Sequence, residues 1–233
     1  KETRPHIAVI VNPRLLMGIY DYVGIFKCTN ENVDIVVTNL NIILREISSM
    51  VYLQDFNISR MDLCVNISFD DSLLLDEYMR LINRGYIPKT YDRIVFPRNE
   101  KNSKEKNKNS FRVTNTYRTV TIYNKTFQLK QEGLSDIKEH IMRIELSLNR
   151  CSIHEHEQKI KNTDLKSKLL YWGDNSESLI KTTLEDVITM GVHVKYNDII
   201  RIISNSNYKN KTKKKMEKFI VISSQCHDLN NAM

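Results

Sequence analysis

Two carboxylates and a tyrosine–lysine pair have the residue types and spacing for chemistry. Asp62 and Glu145 each follow an arginine by two residues, Arg60 and Arg143. Carboxylates brought together from neighbouring strands can coordinate one hard cation, Mg²⁺ or Mn²⁺, through oxygen. The bland alternative is that each pairs with its own arginine and only holds a sheet together. Tyr123 and Lys125 also stand two apart. A phenol is a weak nucleophile at its ordinary pKa near 10, but a nearby ammonium or metal ion favours the phenolate. Tyrosine also suits covalent capture of a DNA 5′-phosphate, because its phenoxide leaves readily in the reverse step. The bland alternative for Tyr123 is a strand aromatic on a half-buried face. Tyr117 has the same parity and competes with it.

These residues need strands to position them. From Ile58 to Asp70 the apolar residues Met61, Leu63, Val65, Ile67 and Phe69 alternate with Arg60, Asp62, Cys64, Asn66 and Ser68. A period of two predicts a strand with one buried face. Val120 to Leu129 is expected to place Thr121, Tyr123 and Lys125 on one face. Ile141 to Arg150 is expected to place Arg143, Glu145, Ser147 and Asn149 on one face, opposite Met142, Ile144, Leu146 and Leu148. Three such strands in one sheet, polar faces aligned, make a floor of carboxylates, tyrosine, lysine and arginines.

Around that floor, the apolar run His6–Val11 reads as a buried strand ending at Asn12-Pro13. Tyr22 to Phe26 reads as a short second strand. Apolar residues at three- and four-residue spacing predict a helix from about Glu31 to Ser49. Asp70 and Asp71 cap a second helix, which Gly85 stops as a C′ residue. Both helices are expected to cover the sheet's apolar face. Arg98 to Ser110 lacks apolar residues and reads as a solvated loop. Thr163-Asp164 to Trp172 and Glu177 to Met190 read as separate helices. The resulting fold class is α+β: an antiparallel sheet with helices packed on one face, then a smaller helical C-terminal part. The expected division is 1–150 for the sheet domain and 151–233 for the helical region.

The chain has 233 residues, with 27% charged, 41% hydrophobic and a net charge of +7. That excess favours an anionic partner. Lys213, Lys214 and Lys215, within a lysine-rich segment from Tyr208 to Lys218, can track a phosphate backbone without reading bases. The four cysteines are scattered, which argues against a disulfide framework and fits a reducing, cytoplasmic setting. No apolar run reaches the roughly 20 residues of a membrane helix. The chain opens at Lys1, so an upstream segment is expected. His154-Glu155-His156-Glu157 suggests a metal motif, but on a helix its histidines point in different directions.

Arg60-Met61-Asp62-Leu63-Cys64-Val65-Asn66, Thr121-Ile122-Tyr123-Asn124-Lys125 and Arg143-Ile144-Glu145-Leu146 resemble, in order and spacing, the replication initiators of rolling-circle plasmids, conjugative elements and related phages. Asn12-Pro13-Arg14-Leu15-Leu16 and Arg84-Gly85-Tyr86-Ile87-Pro88 resemble the clostridial phage-type members. The resemblance implies an enzyme that nicks and rejoins single-stranded or hairpin origin DNA through a tyrosine–5′-phosphate intermediate. It implies a divalent metal, Mg²⁺ or Mn²⁺, on Asp62 and Glu145. It implies Tyr123 as nucleophile with Lys125 beside it, and Arg60 and Arg143 on DNA or on the carboxylates. The implied partners are DNA and a host helicase, with a homodimer open as the assembly. The His-hydrophobe-His metal motif of the wider relaxase superfamily is absent, so carboxylates must replace it. That departure keeps two other readings in play: a non-catalytic DNA-binding protein on the same scaffold, and a phage accessory protein that binds host replication proteins.

Overall fold

A computed structural model describes residues 8–21, 23–134, 137–160, 164–188 and 196–225. The chain divides into two compact units, Lys1–Thr189 and Met190–Met233.

The first unit is built on an antiparallel sheet of five strands: β1 (Arg60–Phe69), β2 (Asp92–Arg93), β3 (Ser110–Thr114), β4 (Arg118–Asn124) and β5 (His140–Asn149). Their order is β1-β5-β4-β3-β2. Its helices are α1 (Pro13–Leu16), α2 (Asn30–Ile47), α3 (Ser72–Arg84), α4 (Ser103–Lys108), α5 (Lys125–Gln131), α6 (Arg150–Glu157) and α7 (Leu165–Val187), with a 3₁₀ turn at Leu53–Asp55. The second unit contains α8 (Tyr196–Asn205) and α9 (Asn210–Gln225). This is the α+β class expected from the alternation. Among the described residues no helix is long and apolar enough to cross a membrane.

Register aligns the two faces across the strands. Leu63 pairs with Leu146, which pairs with Val120, which pairs with Val113. Val65, Ile144, Ile122 and Phe111 form the next apolar row. Leu75 and Met79 of α3, Ile153 of α6, and Trp172, Ile180 and Val187 of α7 are buried against these rows. Burial of these large side chains in one layer is the main source of the unit's stability. The first unit therefore runs past Arg150 to include α6 and α7.

Several expectations need correction. Of His6–Val11, residues 8–11 are described and form no strand; Ile10 is 99% exposed. Asn12 instead caps α1 with Pro13 at its start. Of Tyr22–Phe26, residues 23–26 are irregular. The helix expected near Glu31–Ser49 is present as α2, capped by Thr29, but it packs on α7 and the 3₁₀ turn around Leu40, Leu44 and Leu53, not on the sheet face. Arg98–Ser110 is not a bare loop. Asn107 grips Phe96 through both backbone groups, at 2.8 and 3.0 Å, and so anchors α4. Gly85 ends α3 with φ −60°, so its left-handed freedom is not used. One helix, α7, spans both helices expected between Thr163 and Met190. Its Gly173 lies against the Cys28 side chain, where a Cβ would stand 2.3 Å from Cys28 Cβ.

Candidate functional site

The polar faces align as the apolar ones do. Three rows cross β1, β5, β4 and β3: Asp62–Ser147–Thr119–Thr114, Cys64–Glu145–Thr121–Arg112, and Asn66–Arg143–Tyr123–Ser110. These residues are half-buried or exposed, whereas the opposite face is covered by α3, α6 and α7. Arg60–Asp62, Tyr123 and Arg143–Glu145 thus share one face of one sheet. Asp62 and Glu145 stand diagonally on adjacent strands, a relation that separates Cα atoms by about 7–8 Å.

Lys125 departs from the expected strand. β4 ends at Asn124, whose side chain accepts from Phe127 N at 2.8 Å and caps α5. Lys125 is therefore the first residue of a helix, only 8% exposed. The turn brings it back beside Tyr123, with Nζ 6.0 Å from the ring centre.

Tyr123 Oη donates to Glu145 Oε1 at 2.6 Å. Burial first, and then the Glu145 carboxylate, push the phenol far above its ordinary range; Arg143 pulls the other way. At rest the hydroxyl is a proton donor aimed at a base. Burial also lowers the Lys125 ammonium, and Arg143 adds to that. Cys64, opposite Glu145, is raised by burial.

The arginines divide in role. Arg60 grips Asp62 as a fork, Nε to Oδ1 and Nη2 to Oδ2, both at 2.9 Å. Their side chains are 68% and 48% exposed, so the pair is worth roughly 0–1 kcal/mol. Arg143 makes no pair with Glu145. Its Nε donates to Asn66 Oδ1 and its Nη2 to the Val23 carbonyl, both at 2.8 Å. Asn66 Nδ2 reaches the same carbonyl at 2.6 Å. Arg143 thereby fastens the segment before α2 to one end of the floor.

Two carboxylates on an open face suit a small hard cation that takes one or two carboxylates and completes its shell with water and substrate phosphate. Asp62 would have to release Arg60, at the small cost of an exposed pair. Among the described residues no three or more His, Cys, Asp or Glu side chains gather as a metal cage.

Tyr117 lies in the turn before β4, 45% exposed, with its carbonyl accepting from Asn149 N at 3.2 Å. It is six residues from Tyr123, about 20 Å of strand, so of the two tyrosines Tyr123 is the one on a carboxylate. His154 and His156 diverge on α6: His156 meets Tyr171 and Trp172, and His154 meets Gln158. Lys213, Lys214 and Lys215 lie on α9 of the second unit, and Lys213 Nζ donates to the Ser204 carbonyl at 2.6 Å.

Sequence reasoning gave no role to Asn66, Gln128 or Glu132. Asn66 carries the right parity in β1. Gln128 was hidden by reading Val120 to Leu129 as strand, and Glu132 lay in the connection after it, although Asn124 three residues before Phe127 is a helix-start signal. No protein-family model, curated protein or solved structure matches this chain.

Proposed function

We propose that the polar face of the sheet nicks and rejoins single-stranded or hairpin DNA through Tyr123. The observation that carries this reading is the 2.6 Å hydrogen bond from the Tyr123 hydroxyl to Glu145, on an open face with Arg143 and Lys125 beside it. A general base must lie within hydrogen-bond reach of the proton it takes, and Glu145 does. Attack of Tyr123 Oη on a scissile phosphorus forms the O–P bond as the phenol proton passes to Glu145. The P–O3′ bond breaks with its electron pair on O3′, leaving the 5′-phosphate on tyrosine and a 3′-oxygen that becomes the 3′-hydroxyl by taking up one proton. In rejoining, the 3′-hydroxyl gives up that proton as it attacks, and the phenolate leaves, taking its own proton back from Glu145. The cationic groups around Tyr123 favour the negative charge gathered on the phosphate. A divalent ion on Asp62 and Glu145 would add Lewis-acid polarisation of that phosphate.

The raised Tyr123 pKa favours a second reading, in which the phenol only bonds to Glu145 and the face binds DNA without cutting it. The deciding experiment incubates the protein with labelled single-stranded and hairpin DNA plus Mn²⁺ or Mg²⁺, then maps any covalent adduct by peptide mass. An adduct at Tyr123 is expected. An adduct at Tyr117 keeps the reaction and refutes the residue. DNA binding without an adduct at any tyrosine leaves the second reading.

The lysines of α9 are expected to contribute affinity without sequence preference. Replacing Lys213, Lys214 and Lys215 together by alanine should weaken binding to every single strand alike. It should also flatten the slope of log affinity against log salt by roughly two, since each phosphate contact on a single strand contributes about 0.7. An unchanged slope means that these side chains are merely solvated.

A further inference from the structure

Lys125 and Gln128 stand at i and i+3 of α5, and Glu132, the residue that caps its C-terminus, continues the same row. Lys125 Nζ donates to Gln128 Oε1 at 3.0 Å. Gln128 Nε2 donates to Glu132 Oε1 at 2.8 Å. An ammonium only donates and a carboxylate only accepts, so the two ends dictate which way the amide between them points. The chain runs from the exposed end of α5 to a buried lysine beside Tyr123. The charged or titratable groups around Lys125 are Arg143 and Glu145 from β5, Cys64 from β1, Tyr123 from β4 and Glu132 from the C-terminal cap of its own helix.

Strand cleavage leaves an unsolved proton. Glu145 removes one from Tyr123, but the departing 3′-oxygen is a poor leaving group unless it receives one. Arg143 and Lys125 both stand next to Tyr123, but a guanidinium does not give up its proton, whereas the Lys125 ammonium can and is held by a neutral amide rather than by a full counter-charge. We propose that Gln128, oriented by Glu132, is a positioning residue that holds Lys125 as the proton donor to the leaving 3′-oxygen. This rests on the nicking reading above. As the P–O3′ bond breaks, its electron pair stays on O3′, which takes a proton from Lys125 Nζ to give the 3′-hydroxyl and a neutral amine. In rejoining, the attacking 3′-hydroxyl returns that proton to the amine. Glu145 and Lys125 then reset together, and no co-reactant is needed.

Two measurements test this. The first uses oligonucleotides whose scissile 3′-oxygen is replaced by sulfur, since a thiolate leaves without a proton. Gln128→Leu should nick the ordinary oligonucleotide about 10²-fold more slowly, within the usual range for a proton-transfer contribution, and should nick the sulfur substrate at close to the wild-type rate. Gln128→Glu, which keeps an acceptor, should restore most of the rate on the ordinary substrate. Equal slowing on both substrates overturns the proton-donor role. The second needs no DNA: a ¹³C-lysine NMR titration, with Lys125 assigned by loss of its resonance in Lys125→Arg. Glu132→Gln and Gln128→Leu should lower the pH at which Lys125 titrates, and Gln128→Glu should raise it. Unmoved titrations overturn the positioning chain. If the wild type nicks neither substrate while the titrations move as expected, the nicking reading fails and the hydrogen-bonded chain stands as structure alone.

Discussion

Tyr123→Phe is expected to abolish cleavage while the fold and the DNA affinity persist. A ring of the same shape keeps the apolar contacts but has no oxygen to bond to phosphorus, so residual nicking should fall to background. The structural cost is small. Losing the phenol removes one hydrogen bond and leaves a half-buried carboxylate oxygen without its donor, about 1–3 kcal/mol. For a chain of this size that lowers Tm by roughly 2–4 °C per kcal/mol. The variant also has an alkaline signature. The folded-state pKa of Tyr123 is raised, so its contribution to stability is complete below the unfolded value near 10 and falls away as pH rises beyond it. In that window the unfolded chain sheds a proton that the folded chain keeps. Lys125, depressed by burial, acts in the opposite sense, and its contribution is largely common to both proteins. The urea midpoint should therefore decline less between about pH 9 and 11 in Tyr123→Phe than in wild type. Undiminished nicking by the variant would remove Tyr123 from the mechanism, and parallel curves would mean its hydroxyl is not held as described.

Glu145→Gln is expected to slow nicking by about 10² to 10⁴, the usual contribution of a positioned base. The substituted amide still fits the row between Cys64 and Thr121 and can accept the phenol's hydrogen bond, but it cannot take the proton. Glu145→Ala should show the same loss. In that variant Tyr123 should titrate at lower pH than in wild type, because the carboxylate that raises it is gone while burial remains. The check is the pre-steady-state rate of adduct formation with the tyrosine absorbance titration alongside. Excess Mn²⁺ should recover part of the rate in Asp62→Ala by mass action on a weakened site, but little in Glu145→Gln, which lacks the base itself. Equal recovery in both would reduce Glu145 to a metal ligand.

The floor was legible because alternation is a strong signal wherever one face is buried. Met61 to Phe69 and Ile141 to Leu148 have no other good solution, and placing their apolar sides together aligns Asp62 and Glu145 automatically. What lay outside the pattern was set by single side chains. Asn124 ends a strand by capping a helix, so the alternation through Lys125 was fortuitous. Asn107 folds a charged run by bonding the Phe96 backbone, and no local period announces such a contact. The stretch left between Trp172 and Glu177 is helical too, and within it the bare Cα of Gly173 is where Cys28 packs. The role of Arg143 was also invisible, since its partner carbonyl at Val23 is 120 residues away in sequence.

The strand order carries a consequence for how the molecule comes into being. β3, β4 and β5 are sequential neighbours and can zip as a meander, whereas β1 must wait for β5, far downstream in the chain, before it has an edge to join. When Tyr123 has left the ribosome, the carboxylate that accepts its hydrogen bond has not, because Glu145 follows on the next strand. Asp62 stays adrift until the same strand arrives. Doubling a loop adds only about 0.6 kcal/mol to its closure, but such distant pairing makes assembly slow. The polar face is thus completed by the last strand of the sheet to be made, and a nascent chain ending at Gln131 carries Tyr123 without the carboxylate that holds its hydroxyl.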